Sequence, residues 1–84
     1  MPKVVFITGG SSGIGKAIGE YLSSKGYIVY GTSRNPSKIS EKLPFTLLAM
    51  DVSQVDTIEK AVSVIIKKEG SIDVLVNNAG VGIT

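Results

Sequence analysis

Hydrophobic positions along the chain fall into two alternating kinds of block. Short apolar runs predict strands over residues 3–8, 27–33, 45–50 and 72–76. The first and third are apolar through their middles, as in a parallel sheet buried on both faces. Between runs, apolar residues recur at helical spacing: Ile14, Ala17, Ile18, Tyr21 and Leu22 in one segment, Val55, Ile58, Val62, Ile65 and Ile66 in another. On this spacing Tyr21 belongs to the sheet-packing face of its helix. Gly26 after Lys25, and Gly70 after Lys67 and Lys68, read as helix C-caps with basic residues in the last turn. Ser53, with Asp56 three residues on, reads as the N-cap of the second long helix. Asn35-Pro36-Ser37 predicts a turn, and residues 38–43 a short helix that Pro44 stops.

The resulting order, βαβαβαβ, predicts one α/β domain built on a parallel sheet with right-handed crossovers. Ligands of such sheets bind at the carboxyl ends of the strands, where strand order reverses. All four ends are polar or glycine-rich here: Thr8-Gly9-Gly10, Ser33-Arg34-Asn35, Asp51-Val52-Ser53 and Asn77-Asn78-Ala79-Gly80.

Composition narrows the chemistry. The 84 residues suffice for one small domain, and 43% apolar content supports a core. Net charge is +2, from nine basic and seven acidic residues scattered along the chain. That describes a solvated surface and not a nucleic-acid stripe. With no cysteine and no histidine, disulfides, thiolate metal sites and histidine acid–base catalysis are all excluded. No apolar run is long enough to span a bilayer, and the first strand starts at once without a signal peptide. The expectation is a cytoplasmic protein without membrane or metal.

The stretch Thr8-Gly9-Gly10-Ser11-Ser12-Gly13-Ile14-Gly15 joins the first strand to the first helix. Its glycines permit positive φ and close backbone approach to a ligand. The helix behind it turns free N–H groups and the positive end of its dipole toward the loop, which suits a phosphate or pyrophosphate. Ser11 and Ser12 add hydroxyl donors. Three plainer readings remain open at this level. Asp51 can serve only to start the following helix, Asn77 and Asn78 can be local turn residues, and Arg34 can be an ordinary exposed arginine.

Three motifs in order resemble the short-chain dehydrogenases/reductases. Residues 8–15 match the TGxxxGxG cofactor loop, Asp51-Val52 the acidic pair after the third strand, and Asn77-Asn78-Ala79-Gly80 the NNAG motif. The resemblance covers the whole chain. It implies an open, doubly wound, Rossmann-like sheet and a nicotinamide cofactor. It also implies cofactor contacts at Gly9, Ser11, Ser12, Gly13, Ile14, Gly15, Asp51, Val52, Asn78, Ala79 and Gly80, with the Asp51 carboxylate facing the adenine and part of the NNAG loop bracing the sheet. In dinucleotide folds an acid about 20 residues past the glycine loop binds the ribose 2′-OH of NAD, while an arginine accommodates the 2′-phosphate of NADP. No Asp or Glu lies between Glu20 and Glu41, and the second strand ends in Thr32-Ser33-Arg34. Arg34 therefore selects NADP over NAD through its charged donor fork, helped by the hydroxyls of Thr32 and Ser33.

Tyr21 and Lys25 spell YxxxK, the family's catalytic spacing, but on the helix directly after the phosphate loop. The family's catalytic serine, tyrosine, lysine and asparagine lie downstream and have no counterpart in these residues, so no catalytic residue is assigned. Residues 1–84 thus read as the N-terminal half of a dinucleotide-binding domain, inactive alone, whose parent is an NADP-dependent oxidoreductase. That parent acts on a small carbonyl or alcohol and assembles as a homo-oligomer. Two alternatives stay open. Gly10 to Lys16 fits the GxxxxGK of P-loop hydrolases, although Ala17 stands where that motif needs Ser or Thr for Mg²⁺. A non-catalytic nucleotide-binding module is the other.

Overall fold

The computed structural model describes residues 2–9, 13–36 and 43–78. Strands β1 (Val4–Thr8), β2 (Ile28–Ser33), β3 (Thr46–Ala49) and β4 (Val74–Asn77) and helices α1 (Gly13–Ser24) and α2 (Val55–Glu69) follow in the order β1 α1 β2 β3 α2 β4. The strands form a parallel sheet ordered β3-β2-β1-β4, with β1 inside and the order reversing between β1 and β4. The strands begin one or two residues later than the apolar runs, and β4 runs on through Asn77. The short helix expected over 38–43 lies outside the described residues except for Leu43.

Alternation along the strands divides the core between two faces. Val4, Phe6 and Tyr30 join Met50, Ala61 and Ile65 on the α2 side. Val5, Ile7 and Val29 meet Ile18, Leu22 and Phe45 on the α1 side. All of β1 is buried, as its unbroken apolar run requires. The architecture is the open, doubly wound, Rossmann-like α/β sheet.

Helix α1 sits rotated from its expected orientation. Ile14 and Tyr21 are 73% and 61% exposed, Ala17 is exposed, and Lys25 Nζ lies 5.5 Å from the Tyr21 ring centroid. Tyr21 does not pack on the sheet. The buried seam consists instead of Gly15, Ile18, Gly19 and Leu22. Close approach decides this: a Cβ on Gly19 would stand 2.7 Å from Phe45 Cε1. Hydrophobicity weights large side chains, whereas this helix is drawn in by the lack of them.

Helix α2 buries Ala61 and Ile65, with Ile58 and Val62 half-buried, while Val55 and Ile66 at its ends stay exposed. Gly70 closes it in the left-handed region at φ 88°, its N–H donating to Ile66 O at 2.8 Å. Ser53 is not its N-cap. Gln54 holds that position without a side-chain cap, and the Ser53 hydroxyl donates to Asp51 Oδ1 at 2.7 Å. A charged acceptor two residues away outcompetes the helix end. No described helix is long and apolar enough to cross a membrane.

The far end of α2 is tied to β2 where Tyr30 Oη donates to Glu69 Oε2 at 2.6 Å. Burial first, then this bond and the Glu69 charge, push the Tyr30 phenol from 10 up to about 12. A pKa raised on folding adds stability that is complete below pH 10 and is lost as pH climbs through 12. Tyr30→Phe should cost about 1–3 kcal/mol at neutral pH in urea unfolding and flatten the alkaline limb of the stability profile.

Candidate functional site

Because the strands are parallel, their carboxyl ends open on one edge of the sheet. Registers Thr8↔Asn77, Ile7↔Gly31 and Ser33↔Ala49 bring Gly9, Arg34, Asp51 and Asn78 to that edge. Ser11, Ser12, Ala79 and Gly80 lie outside the described residues.

Gly9 and Gly13 flank the loop, both in the left-handed region at φ 74° and 60°. The backbone of Gly9 is held from two sides: its N–H donates to Thr32 Oγ1 at 2.8 Å, and its carbonyl accepts from Asn78 Nδ2 at 3.0 Å. Asn78 is held in turn, its backbone N–H donating to Thr8 Oγ1 at 2.9 Å. Gly15 lies directly over this knot. A Cβ there would come 2.2 Å from Gly9 O and 2.6 Å from Asn78 Nδ2. Gly13 differs, since a Cβ would meet nothing within 4 Å, so its φ is what demands glycine. Ile14, on the first turn of α1, is open to solvent.

Thr32 departs from the expectation that its hydroxyl faces a 2′-phosphate. It is 2% exposed and turned toward Gly9. One step beyond Ile7↔Gly31, it stands beside the end of β1 and satisfies the N–H of the half-buried Gly9. The half-buried Ser33 accepts from the Asn35 N–H at 3.2 Å. Arg34 is exposed at the tip of β2.

Around Asp51, Oδ1 accepts from the Ser53 N–H at 2.9 Å as well as from its hydroxyl. These bonds, helped by the nearby Arg34 guanidinium, hold the carboxyl below its usual 3.8. A lowered pKa means the arrangement is intact above the usual carboxylate range and loosens only as pH falls through it. Thr57 fixes the Asp51 backbone, its Oγ1 accepting from the Asp51 N–H and lying 2.9 Å from the Asp51 carbonyl. Val52 is exposed at the rim of an apolar cleft of about 520 Å³ that also touches Phe6, Thr8, Met50, Leu75 and Asn77. Sequence reading missed the supporting roles of Ser53, Thr57 and Thr32. Their hydroxyls carry no motif, and only the register of the strands reveals Thr32.

Tyr21 and Lys25 lie at the other end of α1 from this edge. Tyr21 lies eight positions beyond Gly13, about 12 Å along the helix at 1.5 Å per residue, on the solvent side of α1.

A family model described as short chain dehydrogenase matches residues 3–84. The chain is 48% identical over 82 residues to 3-ketodihydrosphingosine reductase of Bacteroides thetaiotaomicron, covering 98% of this chain and 30% of that protein. It is 34% identical over 85 residues to the NADPH-dependent pterin aldehyde reductase of Arabidopsis thaliana, covering 93% of this chain and 35% of that protein. Among solved structures, ligand-free aldohexose dehydrogenase of Thermoplasma acidophilum superposes with a TM-score of 0.85 at 36% identity, over 98% of this chain and 31% of that one. The chain spans about a third of the length of these relatives.

Proposed function

The chain belongs to the short-chain dehydrogenase family, and from that premise we propose that it forms the adenosine and pyrophosphate end of an NADP(H) site in a carbonyl reductase or alcohol dehydrogenase. The family uses nicotinamide cofactors. The observation that carries the reading is the convergence of the clamped glycine loop, Arg34, Asp51-Val52 and Asn78 at one end of a parallel sheet. Gly9 and Gly13, with the N-terminus of α1, would receive the pyrophosphate. Ser11, Ser12, Ala79 and Gly80 complete the proposed contacts by their place in the motifs. The Asp51 carboxylate, pinned through one oxygen by Ser53, would accept from the adenine amino group.

The case for NADP rests on Arg34, an exposed guanidinium at the tip of β2 with no acid beside it in sequence. Asp51, just past β3, lies closely enough to feel its charge, while Ser53 holds that carboxylate through Oδ1. The name of the pterin aldehyde reductase states the same cofactor. The names of the three relatives state three different substrates, a ketosphingoid, a pterin aldehyde and an aldohexose, for proteins that share this same third of their length. The matched region therefore supports the common cofactor end and not a particular substrate. A bound nicotinamide would give a hydride to a carbonyl or take one from an alcohol, and no described residue is assigned the accompanying proton transfer.

Fluorescence titration of the chain with NADPH, NADH and ATP–Mg²⁺ tests the reading, with NADPH expected tightest. Arg34→Ala removes a charge-assisted contact of about 1.5–3 kcal/mol. NADPH affinity should fall roughly ten- to hundredfold while NADH affinity barely changes. Equal losses for both cofactors would remove the 2′-phosphate assignment, and tightest binding of ATP–Mg²⁺ would favour the hydrolase alternative.

A further inference from the structure

We propose that Thr32, a buried residue of β2 with no motif to mark it, is a positioning residue for the start of the phosphate loop, acting with Asn78 through the two peptides that flank Gly9. The inference rests on the dinucleotide reading and adds to it a residue that sets the shape of the loop without touching the ligand.

Gly9 is the last described residue before the turn, and at φ 74° its peptide leaves the line of β1. The peptide units on either side of Gly9 lie at this bend, and each can rotate about the chain axis unless it is held. Here both are. Thr32 Oγ1 takes the N–H at 2.8 Å from β2, and Asn78 Nδ2 gives to the carbonyl at 3.0 Å from β4. The two grips come from opposite sides of β1, so they fix the peptide planes before and after Gly9 and with them its torsions. Gly15 closes the arrangement from above, within contact of both Gly9 O and Asn78 Nδ2. Thr32 is 2% exposed and its oxygen is spent on Gly9, so it is a poor candidate to contact a ligand itself.

The consequence separates Thr32 from its neighbour Arg34 two residues on. Arg34 faces the part of the cofactor that distinguishes NADP from NAD. Thr32 shapes the turn that would meet the pyrophosphate, which both cofactors share. Removing the hydroxyl leaves the half-buried Gly9 N–H without its acceptor and frees the Thr8–Gly9 peptide to rotate. The direction in which the chain leaves β1 is then no longer fixed.

Thr32→Val keeps the volume and removes the hydroxyl. Titrated against NADPH, NADH and 2′-AMP, which carries the 2′-phosphate but no pyrophosphate, the variant should lose about tenfold in affinity for both dinucleotides by the same factor. 2′-AMP affinity should hold, and Thr32→Ser should restore binding. A residue that merely held the fold together would lower all three ligands together, and that result overturns the proposal. So does undiminished NADPH binding by Thr32→Val in a protein whose wild type binds it. Wild-type chain that binds neither dinucleotide would overturn the dinucleotide reading and this proposal with it, a pattern distinct from the other two. Thr32→Ala, which also removes the hydroxyl and adds no bulk, provides the same decision should Thr32→Val not fold.

Discussion

Gly15→Ala is expected to damage this protein more than any other single methyl addition in the loop, lowering both its unfolding midpoint and its cofactor affinity. The added Cβ would lie 2.2 Å from Gly9 O, and that neighbour is backbone. No rotamer change relieves such an overlap, so α1 must lift from β1 or the Gly9 peptide must turn. Either movement breaks the bond from Asn78 Nδ2, which itself stands 2.6 Å from the new carbon. Overpacking typically costs about 1–3 kcal/mol and more where nothing can yield, a large share of the stability of so small a domain. Gly13→Ala is the control. Space around it is open, and its cost is the left-handed φ of 60° alone, about 1–2 kcal/mol. Urea unfolding of both variants should rank Gly15→Ala well below Gly13→Ala, and Gly15→Val lower still. Gly13→Val should leave the fold largely intact while obstructing the dinucleotide. Equal stability for the two alanine variants would show that α1 is free to shift away from β1.

The difference between these two glycines shows what the sequence could and could not say. The alternation of apolar runs with helical spacing foretold the parallel sheet, because burial on both faces of a strand leaves an unmistakable mark in β1. The three motifs likewise located the strand ends where the candidate site gathers. The orientation of α1 was not legible from apolar spacing. Gly15 and Gly19 contribute no hydrophobicity, yet they decide which side of the helix comes close, and Tyr21 is left in solvent. Capping failed for a related reason. Ser53 has the right chemistry for a helix N-cap, but Asp51 lies within reach and claims it. Thr32 was legible as a hydroxyl and not as a partner, since its neighbour Gly9 is 23 residues away in sequence. Local pattern reports which groups need satisfaction, and tertiary register decides which of them meet.

The same distinction bears on β4, the strand least protected in this chain, for which concentration-dependent self-association is the expected behaviour. Among the described residues β4 is an edge, with Val74 38% and Leu75 62% exposed. Natural edges are guarded by charges, proline or bulges that discourage a further strand. Asp73 is the one charge beside β4, and its Oδ2 accepts from the Val4 N–H at 2.8 Å, facing inward across the sheet. It therefore does not guard the free side. The backbone gives the direction of the open groups. Asp73 N–H donates to Val4 O, so residue 73 points its peptide groups at β1, and by strand alternation Val74 and Val76 point theirs outward. Beside this edge lies the 520 Å³ apolar cleft, walled by Ile72 and Leu75 with Ile58 and Val62 of α2. A second copy of the chain offers the complementary edge and apolar surface in one two-fold contact, β4 against β4. Light scattering of the 84-residue chain over a concentration series should show dimers and larger species growing with concentration. Val74→Pro removes an outward N–H without touching the ladder to β1, which edge positions tolerate. It should raise the apparent dissociation constant about tenfold or more with the far-ultraviolet circular dichroism unchanged. A wild-type chain that stays monomeric at every concentration and melts in one sharp cooperative step would show instead that these four strands close their own core and that the β4 edge is inert.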